Sequence, residues 1–363
     1  MAKILHIHPN FYMAKKFVFP LIEFEKSLGY DSSLVFSAGP PGFYGKKIEY
    51  DFSGNNIIPW IKSLLLLFVF IRRTKPDIVF CHNSKASFFP LIICWLLNVR
   101  RRIYFNHGVP FLAYNYLTKF LMKTIELTNL RCCTNAITIS EQSKSMLDKI
   151  QKRIFVDVIA NGSACGIDLQ EIENVRSDIS LSWRIKNGYT RDDFIIAYIG
   201  RAEVRKGFKK VLEIWKTFEF DAQIKLILCG PNKEDVTKIY NKKLANMNIL
   251  GFVDDIFLIL NEVDVVILPS FHEGMPYVLL EAMAFGRTVI CNNTYGINSI
   301  VRDGYNGYLI ENNDINNFYQ KIIYAYENRY RMNEIADNAR SYVKSFDRND
   351  FLKSYRDYLN NLK

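Results

Sequence analysis

The chain has 363 residues, of which 49% are hydrophobic and 23% are charged. This is the composition of a soluble globular protein with enough sequence for two hydrophobic cores. Its net charge of +10 is uneven, because residues 1–184 carry 23 basic and 14 acidic side chains, whereas residues 185–363 carry 24 and 23. The basic half indicates an anionic partner, such as a phosphorylated ligand, a nucleic acid or an acidic membrane face, with ordinary solubilising charge as the alternative.

The seven cysteines form no CxxC pair and show no His/Cys spacing of a metal site. Several of them lie in apolar runs, where a reduced cysteine acts as a small hydrophobic residue. They favour a reducing, cytoplasmic compartment and argue against a zinc site. The first residues lead directly into an apolar run that reads as a strand, so we expect no signal peptide.

Short apolar runs alternate with longer helical segments through the first half of the chain. The short runs predict strands at 3–8, 32–36, 77–82, 102–106, 136–140 and 154–159. The segments between them predict helices near 15–28, 61–72, 84–97, 114–130 and 141–150. Strands that alternate with helices favour a parallel sheet that is covered by helices on both faces.

Two apolar runs, 64–71 and 88–97, are each followed by arginines. Both runs are much shorter than the roughly 20 residues that a helix needs to span a bilayer. We expect them to be buried helices. The alternative is that one of them dips into a membrane surface, where the arginines meet lipid phosphates.

The alternation stops in a polar stretch from about 170 to 193 and then restarts. The second half predicts strands at 194–200, 224–230, 248–251, 263–268 and 288–292. It predicts helices near 206–218, 233–246, 276–286, 314–328, 330–345 and 348–362.

The predicted fold class is therefore α/β, with two Rossmann-like doubly wound domains in series. We expect an N-terminal domain at 1–175, a linker at 176–188, a C-terminal domain at 189–346, and a last helix at 347–363 that packs back on the first domain. Ligands of such sheets bind beyond the carboxyl ends of the strands, so the cleft between the two domains is the expected site.

The most specific motif is the segment 272–282, which reads HEGMPYVLLEA and follows a predicted strand. Pro276 suits the first position of a helix, since the backbone N–H that proline lacks would have no partner within the helix there. Glu273 then lies at the helix N-terminus, where the free amides near Met275 and Tyr277 favour an anion. A carboxylate accepts two hydrogen bonds and so matches a vicinal diol such as a ribose. The alternative is that Glu273 complements the helix dipole and Glu281 lies on a solvated helix face.

A second motif, the segment 198–207, reads YIGRAEVRKG and follows the first strand of the second domain. Gly200 allows the backbone to turn closely past a ligand. Arg201 and Lys206 are expected to converge on one point, and two cations at a strand end suit a diphosphate. The alternative is an exposed basic loop.

A third motif, 105–110, reads FNHGVP and follows a strand of the first domain. His107 is placed to donate a hydrogen bond to a substrate hydroxyl or to exchange a proton with it, although a lone histidine is as often structural. His82 lies at another strand end and is a less specific candidate. His6 and His8 are expected to pack within the first strand.

Together these motifs resemble the family 4 glycosyltransferases, a retaining family with the GT-B fold. Glu273 and Glu281 match the E-x7-E motif of that family, Arg201 and Lys206 match its G-R-x4-K-G element, and His107 matches its N-domain histidine loop. The segments 161–162 and 166–168 resemble its N-G…G-[VI]-D stretch. The resemblance covers essentially the whole chain and is most specific over 198–310.

The resemblance implies a catalytic role for Glu273, His107, Arg201 and Lys206. It implies that the donor is held by the following residues: Gly200, Arg201, Lys206, Gly274, Met275, Tyr277, Val278 and Glu281. Glu281 is expected to bind ribose hydroxyls, and the two cations are expected to neutralise the diphosphate. The resemblance favours UDP as the carrier.

No cofactor is expected, and the donor site is expected to work without a metal. The other common glycosyltransferase fold holds a metal with a D-x-D motif, which this chain lacks. Preorganised cations take the place of that metal. One departure concerns the acceptor side, because the loop at 9–16 contains no glycine where many family members have a Gly-Gly pair.

The expected partners are a nucleotide-sugar donor, a saccharide acceptor that is lipid-linked, and an anionic membrane on the cytoplasmic face, but not nucleic acid. The function that follows is transfer of a sugar in surface polysaccharide biosynthesis, such as a capsule or an O-antigen. Two alternatives stay open: a related epimerase or hydrolase of sugar nucleotides, and a non-catalytic partner subunit.

Overall fold

A computed structural model describes residues 1–38, 45–47, 57–108, 116–178, 183–218, 223–240, 244–311 and 314–362. The chain divides into two compact units. The first unit consists of Met1–Gly166 together with Arg348–Lys363, and the second unit is Ile167–Asp347.

The first unit contains a parallel seven-stranded sheet with the order β3-β2-β1-β4-β5-β6-β7. Its strands are β1 (Lys3–Asn10), β2 (Asp31–Ala38), β3 (Gly45–Lys47), β4 (Ile78–His82), β5 (Arg101–Asn106), β6 (Asn135–Thr138) and β7 (Val156–Val158). Its helices before the second unit are α1 (Phe11–Phe17), α2 (Phe19–Ser27), α3 (Ile57–Thr74), α4 (Ser84–Leu96), α5 (Tyr116–Cys132) and α6 (Glu141–Asp148). The strand order reverses between β1 and β4, which pair directly.

The second unit contains a parallel six-stranded sheet with the order β10-β9-β8-β11-β12-β13. Its strands are β8 (Phe194–Ile199), β9 (Ile224–Cys229), β10 (Met247–Gly251), β11 (Val265–Leu268), β12 (Thr288–Asn292) and β13 (Tyr308–Ile310). Its helices are α7 (Leu169–Ser177), α8 (Trp183–Lys186), α9 (Phe208–Lys216), α10 (Lys233–Thr237), α11 (Phe257–Leu260), α12 (Tyr277–Ala284), α13 (Ile315–Glu327) and α14 (Arg329–Val343). Here the order reverses between β8 and β11, which also pair directly.

The central strands of both sheets are almost entirely buried, as β4, β11 and β12 show at every position. Parallel sheets require helices on both faces, so their strands are continuous apolar runs, and that is the pattern in this sequence. Two parallel-sheet, Rossmann-like units were predicted, and this prediction of the fold class is confirmed.

The boundary between the units lies at Gly166, whereas the first domain was predicted to extend to residue 175. The segment 167–175 therefore belongs to the second unit. Asp168 caps α7 by accepting a hydrogen bond from the amide of Glu171, and Ile172 is buried. The backbone carbonyl of Val175 accepts a hydrogen bond from Asn261, which ties α7 to the second unit.

The last helix, α15 (Arg348–Asn361), belongs to the first unit, the domain on which the sequence analysis placed it. Tyr355 is fully buried, donates a hydrogen bond to Glu25 of α2 and contacts the ring of Phe80 on β4. At the end of the helix, the Leu362 carbonyl accepts a hydrogen bond from Arg101 at 2.6 Å.

The elements that were predicted wrongly have local causes. One helix was predicted at 15–28, but the chain forms α1 and α2, because Pro20 in the first turn of α2 cannot donate the amide hydrogen bond that would continue α1. The three-residue strands β3 and β13 were not predicted, whereas β7, of the same length, was predicted within the longer apolar run 154–159. The helices α8 and α11 were missed because each is a single turn.

Several apolar side chains of the first unit face solvent. On α3, Ile61 and Leu65 are exposed while Leu67 and Ile71 are buried, so this helix is apolar on both faces. The second apolar run forms α4 and is mostly buried, with Trp95 exposed near its end. Within the described parts of the chain, no helix is both long and apolar enough to cross a membrane.

A pair of glycines allows one turn of the first unit to be tested. Gly162 and Gly29 have nearly equal backbone angles, with φ of +93° and +88°. Both alanine variants therefore carry left-handed strain of roughly 1–2 kcal/mol. A Cβ on Gly162 would also lie 2.3 Å from the carbonyl oxygen of Ile139, whereas a Cβ on Gly29 would meet nothing within 4 Å. We expect Gly162→Ala to lower the free energy of unfolding by about 1–3 kcal/mol more than Gly29→Ala, measured by chemical denaturation. Equal losses would show that the turn yields freely.

Candidate functional site

The two most specific motifs of the sequence meet at the switch point of the second sheet. The loop 200–207 follows β8 and the loop 269–276 follows β11, and these two strands are neighbours. In doubly wound sheets, ligands bind outside the carboxyl ends of the strands where the strand order reverses. The topology alone therefore makes this edge a candidate ligand site.

The two loops touch through their backbones, and glycine makes the approach possible. The amide of Phe271 donates to the carbonyl of Arg205 at 2.9 Å. Gly207 has φ +70°, and a Cβ there would lie 2.0 Å from the carbonyl oxygen of Pro269. Only glycine fits at that position, so this residue fixes where the loop passes the end of β11.

An ion pair joins the two loops. The ammonium of Lys206 lies 2.8 Å from Oε1 of Glu273, and the Arg205 guanidinium lies 3.3 Å from its Oε2. Arg205 also donates to the carbonyl of His272 at 3.0 Å. Glu273 is buried, so its charge requires these partners.

Arg201 and Lys206 were predicted to converge on one point, but they have different partners. Arg201 is 69% exposed and pairs with Glu203 at 2.7 Å. Arg205 reaches the same Glu203 at 3.8 Å and so connects the exposed pair to the buried one. No role was predicted for Arg205 and Glu203, although both lie within the motif 198–207.

Both members of the buried ion pair have pKa values below their usual ones. Burial lowers the pKa of Lys206, and this effect exceeds the attraction of Glu273. Burial alone would raise the pKa of Glu273, but the positive charges of Lys206 and Arg205 outweigh it and bring the pKa down. The carboxylate is therefore charged at neutral pH.

The helix α12 carries the second glutamate. Pro276 was predicted to be the first residue of this helix. In the structure it is the N-cap, and Tyr277 is the first helical residue. Glu281 lies in the second turn and is only 3% exposed, which excludes the solvated helix face that was the alternative. Gly296 lies under this loop, where a Cβ would come within 2.3 Å of the Glu273 carbonyl and 2.6 Å of the Gly274 carbonyl.

His107 lies just beyond the carboxyl end of β5 in the first unit and is half-buried. The residue before it, Asn106, is fully buried and accepts hydrogen bonds from the Gly108 amide at 2.9 Å and the Thr138 hydroxyl at 3.2 Å. Its amide group donates to the hydroxyl of Tyr104 at 2.8 Å. This network fixes the backbone on both sides of His107.

Burial determines the charge of that histidine. It lowers the pKa of His107 to about 3, with a smaller contribution from His8. The ring is therefore neutral at physiological pH. Its Nε2 lies 2.9 Å from Nδ1 of His82.

The loop after β1, which departs from the family pattern, has a simple structure. The strand runs directly into α1, and Asn10 caps that helix by accepting a hydrogen bond from the amide of Met13 at 3.1 Å. No residue there needs a positive φ, which explains the absence of glycine. Tyr12 and Met13 are 60% and 49% exposed at this edge of the sheet.

In the described segments, no group of three or more His, Cys, Asp or Glu side chains is arranged to hold a metal ion. The seven cysteines are all free thiols, and six of them are buried.

Comparison with protein families and curated proteins identifies relatives of this chain. Residues 181–342 match the family model of group 1 glycosyl transferases. The chain is 28% identical, over 79% of its length and 76% of the relative, to the UDP-Gal:alpha-D-GlcNAc-diphosphoundecaprenol alpha-1,3-galactosyltransferase of Escherichia coli. It is 24% identical, over 89% of its length and 88% of the relative, to the capsular polysaccharide biosynthesis glycosyltransferase CapM of Staphylococcus aureus.

The fold is also found in solved structures. Anabaena Alr3699/HepE in complex with UDP and glucose superposes with a TM-score of 0.82 at 18% identity, covering 99% of this chain and 100% of the other. The protein is thus a glycosyltransferase with two Rossmann-like domains of the GT-B type.

The buried ion pair predicts a pH-dependent stability. The folded pKa of Glu273 is below its unfolded value of about 4.3, so the pair stabilises the fold above that pH and the contribution is lost as the pH falls through the folded pKa. At neutral pH we expect Glu273→Gln to lower the free energy of unfolding by roughly 3 kcal/mol, because Lys206 is left buried without an anion. The difference from wild type should shrink below pH 4 in urea denaturation.

Glu203→Gln is the matched control, because Glu203 is 38% exposed and also pairs with arginines. We expect it to cost less than about 1 kcal/mol at any pH. A difference for Glu273→Gln that stays constant with pH would contradict the charge assigned to this carboxylate.

Proposed function

We propose that this enzyme is a retaining family 4 glycosyltransferase that moves a sugar from a UDP-sugar onto a lipid-linked saccharide during surface polysaccharide synthesis. The observation that carries the proposal is the buried Lys206–Glu273 pair at the switch point of the second sheet, with two arginines beside it. The solved relative that binds UDP and glucose supports a nucleotide-sugar donor.

The donor diphosphate is assigned to the loops after β8 and β11. Lys206 is already oriented by Glu273, and Arg201 is 69% exposed, so its guanidinium is accessible to an incoming phosphate. The amides of Gly274, Met275 and Tyr277 precede or begin α12, where the helix dipole favours an anion. Cations and amides that are fixed before the reaction stabilise the charge that develops on the departing diphosphate.

The two glutamates take different parts of the donor in this proposal. Glu281 binds the ribose hydroxyls, because a carboxylate accepts two hydrogen bonds from a diol. Glu273 is held in place by Lys206 and Arg205 and contacts the transferred sugar. Gly200 and Val278 complete the donor contacts that the family motif implies.

Electrostatic neutralisation by these side chains makes the proposed reaction independent of metal. The leaving group carries the charge that a divalent ion would otherwise meet, and Lys206 and Arg201 occupy the end of the strand where that charge is expected. A chelator should therefore leave transfer intact.

His107 is proposed to bind a substrate hydroxyl from the first unit. With a pKa of about 3, its ring is a poor carrier of a positive charge at neutral pH. Hydrogen bonding by the neutral ring is the role that this environment supports.

The acceptor class rests on the relatives and on one surface of the first unit. The Escherichia coli relative is named for a diphosphoundecaprenol-linked acceptor, and the Staphylococcus aureus relative for capsular polysaccharide. The first turns of α5 expose Tyr116, Leu117, Phe120 and Leu121, with exposed fractions from 91% to 58%. An exposed apolar helix face beside Lys123 suits peripheral contact with an anionic membrane on the cytoplasmic side.

Lys206→Ala tests the proposed donor chemistry. We expect a loss of turnover of roughly 10²–10³-fold, the range for removal of one preorganised charge-stabilising group. The measurement is UDP release with membrane extract and a set of UDP-sugars, with analysis of the lipid-linked product and with and without a chelator. Lys209→Ala is the control, since Lys209 is 71% exposed on α9 and pairs with Glu213.

Two results would count against this function. One is near-normal turnover of Lys206→Ala. The other is release of a free or epimerised sugar with no acceptor-linked product, which would favour hydrolysis or epimerisation. Loss of activity with a chelator and recovery with a divalent ion would refute the metal-free reaction alone.

The membrane contact is tested by a double variant of the α5 surface, Leu117→Ser with Phe120→Ser. We expect about tenfold weaker binding to vesicles that contain anionic lipid, because partial burial of the two side chains contributes on the order of 1 kcal/mol or less each. Vesicle co-sedimentation measures the change. Tyr330→Ser, which removes an aromatic side chain that is 90% exposed on α14, is the matched control and should bind as wild type does. Equal binding of all three proteins would exclude this surface.

A further inference from the structure

Three of the five histidines form a continuous chain of hydrogen bonds inside the first unit. His6 lies within β1, His82 is the last residue of β4, and His107 follows β5, so the three rings cross neighbouring strands of one sheet. The ring nitrogen Nδ1 of His6 lies 3.0 Å from Nε2 of His82, and Nδ1 of His82 lies 2.9 Å from Nε2 of His107. His6 and His82 are fully buried.

The chain ends inside the protein at a carboxylate. Both carboxylate oxygens of Glu25, on α2, lie near Nε2 of His6, at 3.0 and 3.1 Å. Glu25 is fully buried, and its Oε1 also accepts the hydroxyl of Tyr355 from α15. The other end of the chain is His107, which is half-buried, so the chain leads from the core to the edge of the sheet.

Packing holds the rings in this alignment. His6 stacks on Phe80 with ring centroids 4.8 Å apart and an interplanar angle of 6°. His107 stacks on Phe105 at 4.8 Å and 28°. His8 lies beside the chain but is not part of it, because its Nδ1 is 2.8 Å from the carbonyl of Asn10 and its Nε2 is 3.3 Å from the side-chain amide of Asn83.

Each neutral imidazole has one N–H donor and one acceptor nitrogen. The direction of the hydrogen bond at one end of the chain therefore fixes the direction of every other hydrogen bond in it. When Glu25 is ionised and the three rings are neutral, His6 donates through Nε2 to the carboxylate. His82 must then donate through Nε2 to His6, and His107 through Nε2 to His82. In this state Nδ1 of His107 carries no proton and is a hydrogen-bond acceptor.

One additional proton reverses the chain. A proton that adds to Nδ1 of His107 releases the Nε2 proton to Nδ1 of His82, which in turn releases its Nε2 proton to Nδ1 of His6. His6 then holds two protons and forms an ion pair with the Glu25 carboxylate. Only N–H bonds form and break, one proton enters, and the rings of His82 and His107 are neutral before and after.

We propose that Glu25, His6 and His82 form a proton relay that accepts a proton through His107 and decides whether His107 presents a donor or an acceptor to a substrate hydroxyl. The inference rests on the proposed function in its last step, since His107 must meet a substrate. Glu25, His6 and His82 are positioning residues, because they act through His107. In the relay the added proton comes to rest on His6, because the low pKa of His107, about 3, disfavours a second proton on its own ring.

The titratable groups around the relay come from several elements. Glu25 comes from α2, Tyr355 and Tyr358 from α15, and Tyr30 lies near Tyr355. His8 is the neighbour on β1 and acts on both His82 and His107. Burial and the adjacent histidines lower the pKa of His82 well below its usual value, so a charge on the middle ring is disfavoured and the proton passes through it.

The test is nitrogen NMR of the full chain labelled with ¹⁵N-histidine, recorded as a function of pH. We expect His6, His82 and His107 to change with one shared midpoint. As the pH falls, His107 should exchange its Nε2–H form for its Nδ1–H form and never carry two ring protons. Independent titration of His107 to the doubly protonated ring, or a change at His6 that His107 does not follow, would overturn the relay.

Two variants separate the relay from mere packing. Glu25→Gln has the same shape, but the amide can donate or accept and offers no anion to a charged His6, so the shared transition should disappear. Tyr355→Phe removes the other hydrogen bond of Glu25 and leaves the chain intact, so the transition should persist. An unchanged transition in Glu25→Gln would refute the assignment of the carboxylate, provided that circular dichroism shows a folded protein.

A third variant, His82→Phe, keeps a ring at the middle position and cuts the chain. We expect His6 to change with pH while His107 no longer follows it. Persistent coupling in this variant would overturn the relay.

The transferase assay then separates the relay from the proposed function. If the enzyme transfers sugar, Glu25→Gln should shift the pH profile of kcat and leave the KM for the donor unchanged, which a purely structural role would not do. A tautomer switch without any transfer would uphold the relay and refute the proposed function. Transfer without a tautomer switch would refute the relay alone.

Discussion

The ion pair between Lys206 and Glu273 is the interaction on which the second unit's candidate site depends. A buried carboxylate is tolerated only when cations and hydrogen bonds surround it, and here Lys206 and Arg205 do so. This arrangement requires the loops after β8 and β11 to touch, which in turn requires glycine at position 207. The Lys206–Glu273 pair, the contact between the two loops and the glycine at position 207 therefore depend on one another at this edge of the sheet.

The sequence predicted the architecture well because parallel strands that are buried on both faces are continuous apolar runs in the sequence. It predicted the glutamate and basic motifs because each is a short segment beside a strand end. It failed where the signal is weak: β3 and β13 have three residues each, and α7 is so polar that only Asp168 and the buried Ile172 mark it as a helix. Arg205 was overlooked because a sequence does not show which of several neighbouring cations turns inward.

The histidine chain could not be predicted from the sequence for a different reason. His6 and His82 are separated by 76 positions, and Glu25 and Tyr355 by 330, so nothing local connects them. Their contacts result from the reversal of strand order between β1 and β4 and from the return of α15 to the first unit. His6 was predicted to pack within the first strand, and the structure shows it fully buried there. The hydrogen bonds of its two ring nitrogens were not predicted. A buried ring with a hydrogen bond at each nitrogen also transmits a proton position.

The two units differ in the electrostatics of their sheet edges, and this difference agrees with a division of chemical work. The second unit brings lysine and arginine to its switch point, and fixed cations stabilise the charge of a phosphate leaving group. The first unit brings neutral rings and amides to its edge, where His107 ends the histidine chain and follows Asn106 and its hydrogen-bond network. Neutral groups of this kind bind hydroxyls at the sheet edge, while in the proposed relay the charge of an added proton is held in the core by the His6–Glu25 pair. The proposed sugar transfer would use both chemistries, because in it a diphosphate leaves the donor and a hydroxyl proton leaves the acceptor.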